Sequence, residues 1–325
     1  MSALAAGALA SCGGPAPVPT PVRAPEPIVR PIVLLLHGRG LLGRDTVALR
    51  RAWEASLRSG AAGLTGSPIL GDSDVRVVWY ADVLDPQSNS SCAFAPGDSR
   101  ADRIMGGDSA LQTLASGAAN VLGALGSLFG GSEADTQLRA FAGDLQYFGD
   151  PAKRCAADRR LTTALAEATR EGRPIVLVAH SFGSLVAYDV LTARRPDTSS
   201  TPAIERLVTV GAMIGAPMLR RMVFGTGDTL AMPRGVKSWV NVRNPGDPLA
   251  VPLSEISRSA RDGASSPFVD TTTSAADNDP DTHEMVGYLR DTVTAKAVVR
   301  AWCAAFTPAR ARPSACAKAL ESPSA

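Results

Sequence analysis

One serine lies where its neighbours could turn it into a nucleophile. The short apolar run Ile175-Val176-Leu177-Val178 is followed by Ala179-His180-Ser181-Phe182-Gly183-Ser184 and then by the apolar Leu185-Val186-Ala187-Tyr188. A serine on a sharp strand-to-helix turn needs small residues two places before and two places after it, and the turn leaves its hydroxyl protruding at the carboxyl edge of the sheet. A serine hydroxyl alone is a weak nucleophile, so it needs a base to take its proton and a third group to orient that base. His283, in Asp281-Thr282-His283-Glu284, is the one histidine downstream of Ser181. Asp247 lies in Asn244-Pro245-Gly246-Asp247-Pro248, just past the apolar Trp239–Val242 run. Asp270, Asp279 and Asp281 are rival acids nearer His283, but none directly follows an apolar run. The competing roles are a helix-capping serine, a solvated loop histidine and a turn aspartate.

The Ala-x-Ser-x-Gly turn, with a strand before it and a helix after it, resembles the nucleophile elbow of the α/β-hydrolase superfamily, whose pattern is Gly-x-Ser-x-Gly. Ala179 replaces the first glycine, a departure of one methyl group. The resemblance runs from about Pro31 to Phe306 by order of elements and motifs. It implies an acid and then a histidine after the serine, which Asp247 and His283 supply in that order. It further implies a serine esterase or lipase working through an acyl-enzyme, with Ser181, His283 and Asp247 as nucleophile, base and orienting acid. His37-Gly38-Arg39-Gly40, after the first apolar run, is similar to the oxyanion loop of many lipases of this superfamily. By that match the Arg39 N–H and the Phe182 N–H are the expected oxyanion donors, supported by Gly38, Gly40 and Gly183. His37 and His180 are read as structural.

Five apolar runs are expected as strands buried on both faces: 31–36, 75–80, 175–179, 207–210 and 239–242. Helical patterns at 46–57, 158–171 and 184–194 alternate with them, which predicts a mostly parallel α/β sheet covered by helices. Residues 85–151 break this rhythm and read as an insertion. Within it Leu111, Leu114, Ala118, Leu122, Leu125 and Phe129 fall at helical spacing, which suits a cap or lid over an acyl pocket. A membrane span and a disordered loop are the alternatives for the uncharged 109–132 stretch. The hydrolase domain is expected over 32–306, with 307–325 as a tail.

The first twelve residues are uncharged and largely apolar, and Leu9-Ala10-Ser11-Cys12 resembles the lipobox of bacterial lipoproteins. That resemblance implies export, lipidation of Cys12 and anchoring at a membrane surface in the periplasm or cell envelope, with the Pro-rich residues 13–31 as a tether. Cys92, Cys155, Cys303 and Cys316 remain, an even number suited to an oxidising compartment. Of three possible pairings, Cys92 with Cys155 and Cys303 with Cys316 is preferred, because the second closes a short loop.

The 325 residues carry 33 Lys and Arg against 31 Asp and Glu, a formal charge of +2 without a dense basic cluster. Nucleic acid is therefore not an expected partner. There is no Cys-x-x-Cys and no close pair of histidines, so neither metal nor cofactor is expected. The expected partner is a small-molecule or lipid ester, although related sites also serve thioesters, amides and polyesters. A non-catalytic envelope protein that keeps the scaffold as a binding module is the alternative from another class.

Overall fold

The structure is a computed structural model and describes residues 27–38, 41, 44–85, 87–100, 146–193, 203–224, 230–253, 268–273 and 282–321. Its strands form one six-stranded, all-parallel sheet in the order β2-β1-β3-β4-β5-β6. The strands are β1 (Ile32–Leu36), β2 (Val75–Val78), β3 (Ile175–His180), β4 (Ile204–Val210), β5 (Trp239–Arg243) and β6 (Phe268–Thr272). All residues of β1 and β3 are buried, as continuous apolar runs in a helix-covered sheet must be. The edge strands β2 and β6 are only partly buried.

Side chains alternate between the two faces of the sheet. Ile32, Leu34, Leu36 and Leu177 pack on one face against α2 (Pro151–Arg170), α3 (Gly183–Thr192) and α4 (Pro217–Phe224). Val33, Leu35, Val176 and Val178 pack on the other against α1 (Thr46–Thr65), α5 (Met285–Arg290), α6 (Thr292–Ala304) and α7 (Cys316–Glu321). Helix ends are set by local chemistry. Asp45 accepts from the Val47 and Ala48 N–H groups at 2.9 and 3.0 Å to start α1, and Gly66 ends it in the left-handed region at φ +78°. Asp150 caps α2 with Pro151 at its first position, seven residues before the helix expected from the apolar stripe.

The chain steps outward from β1 to β2, then crosses back to place β3 on the other side of β1. The helix after β1 lies on one face and the helix after β3 on the opposite face, so the loops leaving these strands diverge and open a crevice. Such a switch point at the carboxyl edge is where open parallel sheets hold ligands.

Two expectations change. β6 is a sixth strand where the apolar runs predict five: its Asp-Thr-Thr end belongs to a half-exposed edge strand and has no apolar run to announce it. Residues 307–321 are folded on the body instead of trailing from it. Val29 pairs with Thr307, Cys316 and Ala319 are buried, and α7 packs beside α6. At the ends of the expected insertion, the buried Arg100 binds Asp158 of α2 at 2.9 Å. The expected cap helix over 111–129, Cys12 and most of the Pro-rich stretch lie outside the described residues. Both preferred disulfides, Cys92–Cys155 and Cys303–Cys316, are formed. They fit an oxidising, extracellular type of environment. Among the described residues no helix is long and apolar enough to cross a membrane.

Candidate active site

Because every strand is parallel, the loops that follow β1, β3, β4, β5 and β6 all emerge at one edge of the sheet. Ser181 follows β3 directly and has φ +52°, the one left-handed non-glycine among the described residues. This sparsely populated backbone state costs on the order of 1–3 kcal/mol and persists only where surroundings enforce it. Here the Ser181 N–H donates to the Val210 carbonyl at 3.0 Å, and the Ser181 carbonyl accepts from the Ser184 hydroxyl at 2.6 Å. The small residue at 183 is required by the end of β1 and the residue after it: a side-chain carbon there would run into the carbonyls of Leu36 and His37. Ala179, two places before the serine, is a buried residue of β3.

The structure brings the three expected residues together. His283 Nε2 lies 2.7 Å from Ser181 Oγ, and His283 Nδ1 lies 2.7 Å from Asp247 Oδ2. Ser181 and Asp247 are buried, and the His283 side chain keeps 16% of its surface exposed. Asp247 follows β5 and His283 follows β6, and the two loops are tied together. Asn244 Nδ2 donates to the Thr282 carbonyl at 3.2 Å, and the Thr282 hydroxyl donates to the Gly246 carbonyl at 3.1 Å. Burial acts to raise the Asp247 carboxyl, but the His283 contact, the Tyr288 hydroxyl and the Leu249 N–H outweigh it and hold the group below its ordinary range. A carboxylate held ionised against a histidine, which in turn faces a hydroxyl, can draw a proton from that hydroxyl.

Of the rival acids, Asp270 is engaged elsewhere. Its Oδ1 accepts from Asn241 Nδ2 and Arg243 Nε, and its Oδ2 accepts from the Leu253 N–H. Asp279 and Asp281 lie outside the described residues.

His37 and His180 support the loops. His37 Nε2 accepts from the Tyr80 N–H at 3.0 Å, which leaves Nδ1 to donate to the Gly38 carbonyl at 2.6 Å. Its ring stacks on Tyr80 with centroids 4.0 Å apart. Burial, with Arg50 adding to it, pushes His37 down to about 3, so this imidazole stays neutral. His180 Nε2 meets the His283 carbonyl at 2.8 Å and thereby holds the backbone of the base. Burial and then the neighbouring His283 push His180 down to about 3 as well. Gly38 lies so close to the turn that an added side-chain carbon would sit 2.7 Å from Ser181 Cβ and 2.8 Å from His180 Nδ1.

Phe182 is buried directly after the serine, and no described residue accepts a hydrogen bond from its N–H. Tyr147 and Phe148 pack edge-on against its ring, with centroids 5.4 and 5.6 Å away. The other expected donor, Arg39, and its neighbour Gly40 lie outside the described residues. A cleft of about 570 Å³ opens along β2, lined among others by Arg50, Arg76, Trp79 and Arg159, and none of Ser181, Asp247 or His283 reaches it. Among the described residues no cluster of three or more His, Cys, Asp or Glu is gathered as for a metal ion.

Sequence reasoning missed Tyr288. Its hydroxyl donates to Asp247 Oδ2 at 2.7 Å across 41 residues, and no spacing rule connects the two.

The sheet and the turn define an α/β protein with a serine, histidine and aspartate assembled at its carboxyl edge. Compared with protein families, curated proteins and solved structures, the chain matches none.

Proposed function

We propose that the protein is a serine hydrolase of the α/β-hydrolase type that cleaves carboxylic esters through an acyl-enzyme on Ser181. The observation that carries this reading is the unbroken chain from Ser181 Oγ through His283 to Asp247, with 2.7 Å at each link and the serine in a left-handed turn. In the first step His283 Nε2 takes the Ser181 proton as Oγ attacks the ester carbonyl, while Asp247 stabilises the imidazolium. The developing oxyanion faces the Phe182 N–H and, by the loop resemblance, the Arg39 N–H. The tetrahedral species then collapses: the C–O bond to the alcohol breaks, and His283 gives its proton to the leaving oxygen. Water, deprotonated by the same histidine, attacks the acyl-enzyme. The carboxylic acid departs and the proton returns to Ser181.

The substrate we propose is a small-molecule or lipid ester, reached by a protein exported to the cell envelope and held there through Cys12. The two disulfides support export.

The test is the initial rate on p-nitrophenyl esters from acetate to palmitate, for the wild type and for Ser181→Ala, with fluorophosphonate labelling alongside. The expected outcome is a labelled Ser181 and a loss on the order of 10⁴-fold or more in the variant. Equal rates in both proteins would sink the mechanism, and an inert, unlabelled wild type would favour a binding module.

A further inference from the structure

The histidine is not the sole side chain holding Asp247. We infer that the Tyr288 hydroxyl is a positioning group for the reaction proposed above, fixing how much of the Asp247 charge His283 feels and so the pH range in which the site works. The inference rests on the hydrolase reading for its consequence, but its physical basis lies in the carboxylate itself. Asp247 Oδ2 takes both the His283 Nδ1 and the Tyr288 hydroxyl, each at 2.7 Å, while Oδ1 takes the Leu249 N–H at 2.9 Å.

The direction of the phenol proton is settled by a second bond. The Asn244 N–H donates to the Tyr288 oxygen at 3.0 Å, so the single hydroxyl proton points to the carboxylate. The ring is buried, and its place depends on Gly211, at φ +54°. A side-chain carbon at residue 211 would stand 2.9 Å from the Tyr288 ring and 3.1 Å from Asp247 Oδ2. Tyr288 lies on α5, the helix that follows His283, so one short segment delivers both the base and the second donor to the acid.

Among the described residues, His180 and Arg243 also face this cluster. His180, from β3, has its ring 5.0 Å from that of His283 and 6.0 Å from Tyr288, and its Nε2 meets the His283 carbonyl. Arg243, at the end of β5, is paired with Asp270 at 3.2 Å. Tyr288 is therefore the side chain that shares Oδ2 with the histidine. A second donor on one oxygen draws negative charge away from the first bond. Removing it concentrates that charge on the histidine contact, favours the imidazolium, and shifts the acid limb of activity to higher pH.

The experiment compares the wild type with Tyr288→Phe and with 3-fluorotyrosine placed at residue 288, a more acidic phenol and so a stronger donor. Two readouts are taken: the pH profile of Ser181 phosphonylation by a fluorophosphonate, and the low-field proton resonance between His283 Nδ1 and Asp247 Oδ2 in the resting protein. In Tyr288→Phe the acid limb is expected to move up by about half a unit to one unit and the resonance to move downfield. With fluorotyrosine both are expected to move the opposite way. A purely structural ring would move neither readout in opposite directions, so unchanged readouts, or shifts of the same sign in both variants, would overturn the inference. If the resonance responds as expected while no protein is labelled, the hydrolase reading fails and the hold of Tyr288 on Asp247 stands.

Discussion

At Ser181 the backbone and the side chain serve the same end. The left-handed turn aims the hydroxyl at His283, and the bonds that hold the turn come from Val210 and Ser184, on two other elements of the sheet edge. Gly183 and Gly38 pack most closely around the turn, and the two differ in what they meet: the backbone carbonyls of Leu36 and His37 for the former, Ser181 and His180 for the latter. The Leu36 carbonyl belongs to the paired end of β1 and the His37 carbonyl accepts from the Tyr80 hydroxyl at 2.9 Å, so Gly183→Ala is expected to displace the turn. A displacement of about 1 Å at a reacting group costs on the order of 10²-fold in rate. We expect a loss of at least that size in fluorophosphonate labelling of Gly183→Ala; labelling at the wild-type rate would show that the turn tolerates the methyl group.

At the scale of elements, α2, α3 and the 146–149 turn meet in a buried ionic cluster beneath the elbow. Arg154 binds Asp189 at 2.6 Å, Arg100 binds Asp98 at 2.7 Å and Asp158 at 2.9 Å, and the Tyr147 hydroxyl reaches both Asp158 and Asp189. Among the described residues these ion pairs join Asp98, Asp158 and Asp189 to Arg100 and Arg154. Burial first, and then Asp189, push the Asp158 carboxyl up to about 8 against the pull of Arg100 and Arg154. An aspartate in the unfolded chain releases its proton near pH ~4. Between those values the folded protein binds more protons, so the stability this group contributes is complete below about pH 4 and is lost as pH rises toward 8. Asp158→Asn mimics the protonated form. In urea unfolding at pH 5, 7 and 9, the stability of the wild type relative to this variant should fall steadily. Parallel pH dependences would refute the assignment. The cluster bears on the site through Tyr147, whose ring packs on Phe182.

Over the whole molecule, the two disulfides fasten the regions that the sheet does not hold. Cys303–Cys316 spans 13 residues and fixes α7 beside α6; Cys92–Cys155 spans 63 and ties the 87–100 segment to α2. The chain-entropy relation gives about 3 kcal/mol for the shorter loop and about 4 kcal/mol for the longer. Paired Cys→Ser variants should therefore unfold at lower urea, with Cys92→Ser/Cys155→Ser the more affected. The reverse ranking would mean that contacts in the folded state, rather than loop closure, dominate their effect.

The sequence by itself determined the strand-turn-helix around Ser181, the order serine, aspartate, histidine, and the cysteines available for pairing, because each is written in local patterns or in chain order. Asp247 was legible because it follows an apolar run, whereas β6 was not, since an edge strand exposed on one side needs no apolar stretch. Tertiary structure alone decided which atoms meet. Tyr288 finds Asp247 across 41 residues, Gly183 is constrained by the end of β1 and the residue after it, and His180 holds the carbonyl of the base. These contacts exist because parallel strands bring the loops after β1, β3, β4, β5 and β6 to one edge, and that convergence depends on strand order, which periodicity along the chain does not encode.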